Sequence, residues 1–570
     1  MRLKVLIEDK NYLKWKYYET DCFEEISLKN NINPAIIKLF TEDVFEYNIE
    51  ENTCEIIHSV VRSYKNIAGV LIMNKSYGRK NQDKIYYKCM PHDKRLPEFL
   101  IAMNVKKTSY SSFDKNIKNK YITFQYKEWM DKHPVGILNQ TLGPTDNIIN
   151  FFEYQLYSKN LNNSITQFTN NTNIKLKKEN SHLLIENIIK KYKNIQNREN
   201  QYVFSIDPSS CQDYDDALSF DILDDNSYQI SIYISNVAII LDYLNLWDKF
   251  SERVSTIYLP DRKRPMLPSI LSDNLCSLKS GENRLAISLD LLFKNDELIS
   301  INYKNVVINV NINLTYNNAN ELTNENYKSL FLFTKKISKK YKYLSEIKDS
   351  HDVVSYYMLL MNSKIAEFQE EFKNGIFRSV SLKTEPKLPD HLDNNILSFF
   401  KIYHSLSGKY SNFENRSKHN YLFDKEASYL HITSPIRRLV DLLNLIKFQE
   451  NLGEIKLENS SEEFYKSWLE RLDYINTTMR SIKKVQNNCT LLFNCSENPE
   501  ILNKEYKGYL FDKLIRNDGL FQYSVYLQDI NLISKVIINN DLENYSNKSF
   551  KLFLFLGEND IKKKIRLKIL

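Results

Sequence analysis

Four carboxylates crowd into ten residues of this chain, in Phe204-Ser-Ile-Asp207-Pro-Ser-Ser-Cys-Gln-Asp213-Tyr-Asp215-Asp216-Ala-Leu-Ser-Phe220, with no Lys or Arg among them. A hydrophobic core rejects such a group, so the chain must fold to place it where something stabilises the charge. Val203-Phe204-Ser205-Ile206 reads as an apolar strand ending at Asp207, Pro208-Ser-Ser as a turn, and the remainder as a second extended segment. On that reading Asp213 and Asp215 point one way, Asp216 the other, and the acids are held close together. Two like charges about 5 Å apart repel by roughly 0.8 kcal/mol in water and several-fold more where water is excluded. A positive partner is required.

A hard divalent cation with oxygen ligands, Mg²⁺ or Mn²⁺, suits a site made of carboxylates. Two such ions about 4 Å apart can activate a water and stabilise the leaving oxygen of a phosphodiester. Three other readings share the pattern. A solvated acidic loop is one, opposed by the flanking apolar runs at Val203 to Ile206 and Ala217 to Phe220. A calcium hand is another, but counting from Asp213 its fifth position is Ala217 and its sixth lacks the required glycine. The third is a structural ion-pair network, with basic partners brought from elsewhere in the chain.

The 570 residues are enough for three or four domains with a large core. Lys+Arg 78 against Asp+Glu 71 gives a net charge of only +7, so any nucleic-acid path must come from local arrangement rather than bulk charge. The seven cysteines are dispersed without a Cys-x-x-Cys, which argues against a disulfide framework or a zinc site and for a reducing compartment. Met1-Arg-Leu-Lys-Val-Leu-Ile-Glu-Asp turns acidic too early for a signal peptide, and no apolar run approaches the roughly 18 residues of a membrane span. The expectation is a soluble intracellular protein, cytoplasmic or nuclear, with no membrane partner.

In chain order, short strands are expected at Leu3 to Ile7, Asp43 to Tyr47, Glu55 to Val60, Gly69 to Met73, Lys84 to Lys88 and Tyr121 to Tyr126. They suggest two small β-barrels, at 1–60 and 61–150. Barrels of this kind either bind single strands or merely pack. From 151 to 199 an Asn-, Lys- and Ser-rich connector carries one amphipathic helix, at Leu183 to Ile189. Residues 200–495 form a mixed α/β domain, with strands at Tyr228 to Ser235 and Leu285 to Leu289. Its long helices are expected over Val353 to Phe372 and Glu462 to Leu492. A last barrel occupies 500–570 and ends in the basic Lys562-Lys-Lys-Ile-Arg-Leu-Lys568, either a solvated strand or part of a phosphate-tracking face.

The second stretch with chemistry is Tyr429-Leu-His-Ile-Thr-Ser-Pro435-Ile-Arg437-Arg438-Leu-Val-Asp441. It reads as the start of a helix, with Thr433 or Ser434 as N-cap, Pro435 in the first turn, and two arginines at the positive end of the helix dipole. An arginine fixed there suits a phosphate. A capped surface helix whose arginines pair with local acids has the same letters.

Together the two stretches resemble the ribonuclease II/R family of processive 3′-to-5′ exoribonucleases, closest in style to the catalytic subunit of the eukaryotic exosome without its endonuclease domain. The family's Ile-Asp-x5-Asp-x-Asp-Asp-Ala is met by Ile206, Asp207, Asp213, Asp215, Asp216 and Ala217, and its Thr-Ser-Pro-Ile-Arg-Arg by Thr433 to Arg438. Between them, Tyr258-Leu-Pro260, Pro265-Met-Leu-Pro268, Leu275-Cys-Ser-Leu278 and Met358-Leu-Leu-Met-Asn362 are similar to family segments in the same order. Pro91-His-Asp-Lys-Arg-Leu-Pro97, Pro134-Val-Gly136 and Leu142-Gly143 resemble the second of two cold-shock barrels. The resemblance implies a mixed α/β catalytic domain flanked by OB or cold-shock type barrels. It also implies that Asp207, Asp213, Asp215 and Asp216 hold two Mg²⁺ or Mn²⁺ ions and the attacking water, and that Arg437 stabilises the transferring phosphate. RNA contacts would fall to Tyr258, Asn362, Arg378, Ser434 and Arg438, and the enzyme would act as a monomer on single-stranded RNA, releasing nucleoside 5′-monophosphates.

Three departures stand out. Asn236 replaces an acid in Ile234-Ser-Asn236-Val237, residues 345–352 leave no room for a hairpin that clamps the terminal base, and Arg480-Ser-Ile-Lys-Lys484 lacks a glutamate found in some relatives. A catalytically silent RNA-binding scaffold of the same fold is the alternative from another class. A DNA-directed or endonucleolytic phosphodiesterase would use the same chemistry.

Overall fold

Closed β-barrels need strands that bend, and the sequence supplies bends at bulges and small residues. The protein is described from a computed structural model, which covers residues 2–22, 24–26, 33–48, 53–81, 84–104, 118–179, 183–224, 226–344, 346–379, 388–389, 392–405, 408–416 and 428–570. The chain divides into two compact units. One comprises Met1–Asn162, Leu259–Asp261 and Lys483–Leu570, and the other Asn163–Tyr258 and Arg262–Ile482.

In the first unit, five strands within Ile67–Pro144 close into a barrel. Closure comes through a short parallel pairing, Val135 with Leu100 and Gly136 with Ile101. Gly136 makes it possible: a Cβ there would lie 2.7 Å from Ile101 Cδ1 and 2.8 Å from Phe124 Cδ2. Before it, Arg2–Ile7, Trp15–Glu19, Glu25–Ile26, Val44–Asn48 and Thr53–His58 form a five-stranded sheet. Sheet and barrel share one apolar core, in which Phe40 stacks 5.8 Å from Phe99 and 4.8 Å from Trp129. The strands within Glu505–Ile569 pair in a second open sheet. The two outer sheets, where small barrels are expected, each pair as five strands without closing among the described residues. Val60 belongs to the short helix Val60–Ser63 and not to a strand.

In the second unit, Gln196–Asp207, Asp216–Asp224, Ser227–Ser235, Asn283–Lys294 and Glu297–Thr315 close into another five-stranded barrel. Val203, Ala217, Tyr233, Ala286, Val306, Ile308 and Val310 fill it, because period-two alternation sends these side chains inward. The first strand runs parallel to the last, with Asp207 opposite Thr315, and the antiparallel second strand starts with Asp216 opposite Ile234. One end of this barrel therefore carries Asp207 and Asp216. The helices Ser350–Glu371 and Leu439–Leu452 follow.

The connector holds three helices rather than one: Ile148–Ser158, Thr166–Glu179 and Leu184–Lys191. The middle one was hidden by its asparagines, yet Phe168, Thr172 and Leu176 fall at helical spacing and are buried. The long helix expected from Glu462 is two, Asn459–Leu469 and Leu472–Glu497. All seven cysteines are free. Among the described residues, no helix is long and apolar enough to cross a membrane.

Candidate active site

The acidic stretch is not the extended segment its alternation suggests. Residues 211–215 are irregular, and the strand begins only at Asp216. Backbone bonds of the loop are taken by neighbours instead. Tyr214 N–H donates to Ser277 Oγ (3.0 Å), Ser277 Oγ donates to Gln212 O (2.8 Å), and Leu278 N–H and Ser235 N–H donate to Tyr214 O and Asp215 O, both at 2.9 Å. Leu275-Cys-Ser-Leu278 is thus the clamp on the acid loop.

Each aspartate meets a different environment. Asp215 is 2% exposed; its Oδ1 accepts from Ile436 N–H (2.8 Å) and its Oδ2 from Arg437 Nε (2.9 Å). Asp213 accepts from the Tyr258 hydroxyl (2.7 Å) and from Lys263 Nζ (3.1 Å), which also reaches Asp273 at 2.8 Å. Asp207 accepts from Cys211 Sγ at 3.7 Å and is held by the Ser205 side chain, while its Oδ2 is buried without a partner. Burial pushes Asp207 up to about 6 and Asp215 to about 7, against the attraction of Arg437. Asp216 is raised too, first by burial and then by the charges of Asp207 and Asp215.

Residues 433–438 do not begin the helix as the letters suggest. The helix starts at Leu439 with Arg438 in the N-cap position and no side-chain cap, and Pro435 precedes it. The loop is held from inside: Asp441 Oδ1 accepts from Ser434 N–H and Arg438 Nη2, each at 2.8 Å. It is also stitched to 254–256, through Thr256 N–H to Arg437 O (2.9 Å) and Leu439 N–H to Val254 O (3.0 Å). Arg437 Nη2 donates to Ser434 Oγ (2.9 Å). Asp207 to Asp216, Tyr258 and Arg437 are therefore brought together by three separate segments.

The other expected RNA contacts are placed differently. Asn362 is buried and spends its amide on Tyr429 Oη (3.0 Å) and Ile432 N–H (2.9 Å), so it shapes the run leading to Thr433. Arg378 lies in the strand Ile376–Ser379, whose backbone joins Tyr429 O at 2.8 Å. Arg438 is bound to Asp441, and Ser434 is buried beneath Arg437. Tyr258 is 39% exposed, with its hydroxyl on Asp213. Asn236 caps the helix Val237–Tyr243 and donates to Asn305 Oδ1 (2.9 Å), so the missing acid has become a buried helix cap.

Two features were missed. Lys263 supplies a cation to acids that have none nearby in sequence, because the Tyr258–Lys263 strand pair sets both side chains on Asp213. Tyr316 follows directly on the strand end beside Asp207, and its phenol is pushed up to about 12 by burial and by the charges of Asp216 and Asp207. His351 stacks on it at 3.5 Å between ring centroids. The Leu-Thr-Tyr of 314–316 ends a long strand and would have been the signal.

Among the described residues, no group of three or more His, Cys, Asp or Glu side chains is placed to hold a metal ion. The donor set nevertheless fits a divalent cation. Asp207 Oδ2 is buried and unpartnered, and burial first, with like charge behind it, raises Asp207 and Asp216, a cost that a cation would relieve. Mg²⁺ commonly binds through one or two carboxylates and keeps waters.

The chain is similar to known proteins in sequence and in fold. Residues 195–330 match the RNB domain, and residues 86–151 the Dis3-like cold-shock domain 2 (CSD2). Ribonuclease R of Chlamydia pneumoniae is 23% identical over 305 residues, 42% of this chain and 45% of that protein, so the chain spans less than half of that relative's length. The apo form of Mycoplasma genitalium RNase R matches with a TM-score of 0.67 at 15% identity, covering 100% of both chains, and its complex with ribose methylated single-stranded RNA with 0.66. Yeast Ssd1, a pseudonuclease, matches with 0.56 at 12% identity over 97% of this chain and 80% of that one. The RNB match lies on the acid-bearing barrel, and the cold-shock match on the barrel of the first unit.

Proposed function

We propose that the chain is a metal-dependent, processive 3′-to-5′ exoribonuclease that hydrolyses single-stranded RNA to nucleoside 5′-monophosphates. The observation that carries this reading is the Arg437 to Asp215 pair. It sets a guanidinium against a group of buried carboxylates, two of which have no basic partner among the described residues.

Asp207, Asp213, Asp215 and Asp216 would hold Mg²⁺ or Mn²⁺, two ions on this reading, which when bound supply Lewis-acid charge to the phosphate and lower the pKa of water. Arg437, gripped by Asp215 and Ser434, needs no reorganisation to stabilise charge gathering on the non-bridging phosphate oxygens. Tyr258 offers an exposed ring to a base near the 3′ end, a contact indifferent to sequence because every base has a π-face. The Tyr316 and His351 stack offers a second aromatic surface close to the acids.

A catalytically silent RNA-binding scaffold is the second reading, favoured by one detail: both Asp213 oxygens are occupied by protein donors. Incubation with end-labelled single-stranded RNA and Mg²⁺ separates the two. Mononucleotide product supports the nuclease; tight binding without product, indifferent to Asp→Asn changes, supports the scaffold.

A further inference from the structure

The first unit contains a cavity of about 510 Å³ whose lining includes Lys94, Lys159 and Lys562 together with Val60, Tyr64 and Leu96. None of the three lysines is ion-paired among the described residues. The acid that lines the cavity, Asp93, is already engaged: Arg95 Nε reaches both its oxygens at 3.1 Å and Nη2 one of them at 2.8 Å. His92, also in the lining, bonds Tyr154 Oη through Nδ1 at 3.0 Å. It is neutral at pH 7, since burial and then the charges of Lys159 and Lys562 press it down to about 4. The cavity therefore brings three lysines to one acid that Arg95 already holds, in a chain whose net charge is only +7.

The cationic field extends beyond the lining. Lys562 and Lys564 are lowered by burial first and then by surrounding cations, among them Lys484 and Arg566. Lysines gathered around one acid that is already paired are relieved by an anion, and the same lining offers apolar and aromatic surface at Val60, Tyr64 and Leu96, with Val60 47% exposed. A ligand with an anionic end and a flat apolar body matches this lining.

We propose that this cavity is a phosphate-ester site for one nucleotide unit, its phosphate on Lys94, Lys159 and Lys562 and its base against Val60 and Tyr64. The nucleotide can be free or can belong to an RNA chain; the recognising chemistry is the same. The site is independent of the acid cluster, and its test is run on an Asp215→Asn background so that turnover plays no part.

Titration calorimetry with adenosine 5′-monophosphate, with inorganic phosphate and with a short single-stranded RNA is compared between the parent and Lys159→Glu/Lys562→Glu. Circular dichroism and the unfolding temperature report folding, and Lys159→Gln/Lys562→Gln replaces the double variant if it fails to fold. Mononucleotide binding weakened at least about tenfold in the variant assigns the site to free nucleotide. RNA binding weakened about tenfold with a shallower salt dependence, without mononucleotide binding, assigns it to a nucleotide within a chain. Parent-like affinity of the variant for both ligands overturns the proposal.

Discussion

Two closed five-stranded barrels lie among the described residues, and the charged groups beside them differ in sign. The barrel of 196–315 ends in carboxylates, with Lys263 and Arg437 brought in from other segments and no ion pair on Asp207 or Asp216 among the described residues. The barrel of 67–144 borders a cavity of lysines whose one lining acid is already engaged. Strand count and closure do not distinguish them. The chemistry sits in what joins and follows the strands, so a fold alone assigns neither activity. Buried acids with too few bases call for a cation, and lysines without acids call for an anion.

If the contrast is right, disturbing charge at the acid end should change rate, and disturbing it at the basic cavity should change affinity. The largest effect expected is on Arg437→Ala, which should slow RNA cleavage about a hundredfold or more with substrate affinity little altered. Single-turnover kinetics read the two separately, and an unchanged rate would erase the arginine's role.

Support for the arginine loop is the next point of attack. Asn444 is fully buried; its Oδ1 accepts from Ile376 N–H (2.8 Å), and its amide donates to Ile376 O and His431 O, both at 2.9 Å. Asn444→Ala orphans these groups and should cost about 2 to 4 kcal/mol in chemical denaturation.

A third test concerns the acids themselves, in protein stripped of divalent metal. Asp207 and Asp215 titrate near 6 and 7 when folded, above their usual 3.8, so folding favours their protonated forms. That contribution is fully present below the unfolded value and is lost as pH rises through 6 to 7, on the order of 2 kcal/mol per group. Stability should fall between pH 5 and pH 8, Asp215→Asn should flatten the fall, and added Mg²⁺ should restore stability at pH 8. A profile unaffected by both would remove the basis for a metal.

The smallest effect falls on Tyr258. Tyr258→Ala should weaken RNA binding about tenfold and Tyr258→Phe much less, because the ring carries the stacking and the hydroxyl only anchors it to Asp213. Equal losses in both variants would place the energy in the anchor.

Much of the site was legible because its residues are close in sequence. Asp207 to Asp216 and Thr433 to Arg438 each announce charge in an apolar setting, and their meeting through Asp215 and Arg437 follows the expectation. What stayed hidden depends on pairing across distance. Lys263 reaches Asp213 only because a two-residue strand pair sets it opposite Tyr258, and no local pattern encodes that register. Alternation misread 211–215, where Ser277 takes over the backbone bonding that a strand would have used. The cap at residue 433 or 434 was misplaced because Asp441 reaches back from within the helix to hold the loop. Asparagine concealed Thr166–Glu179, whose helix is sustained by the buried Phe168, Thr172 and Leu176.

The central claim is that the buried acids and Arg437 form one hydrolytic centre. It is tested most directly by resolving the products of end-labelled single-stranded RNA incubated with Mg²⁺ and either the parent protein or Asp215→Asn. The account predicts stepwise release of nucleoside 5′-monophosphates from the 3′ end by the parent and a loss of at least about a hundredfold in the variant. Undiminished cleavage by Asp215→Asn, or no mononucleotide from the parent, would contradict it.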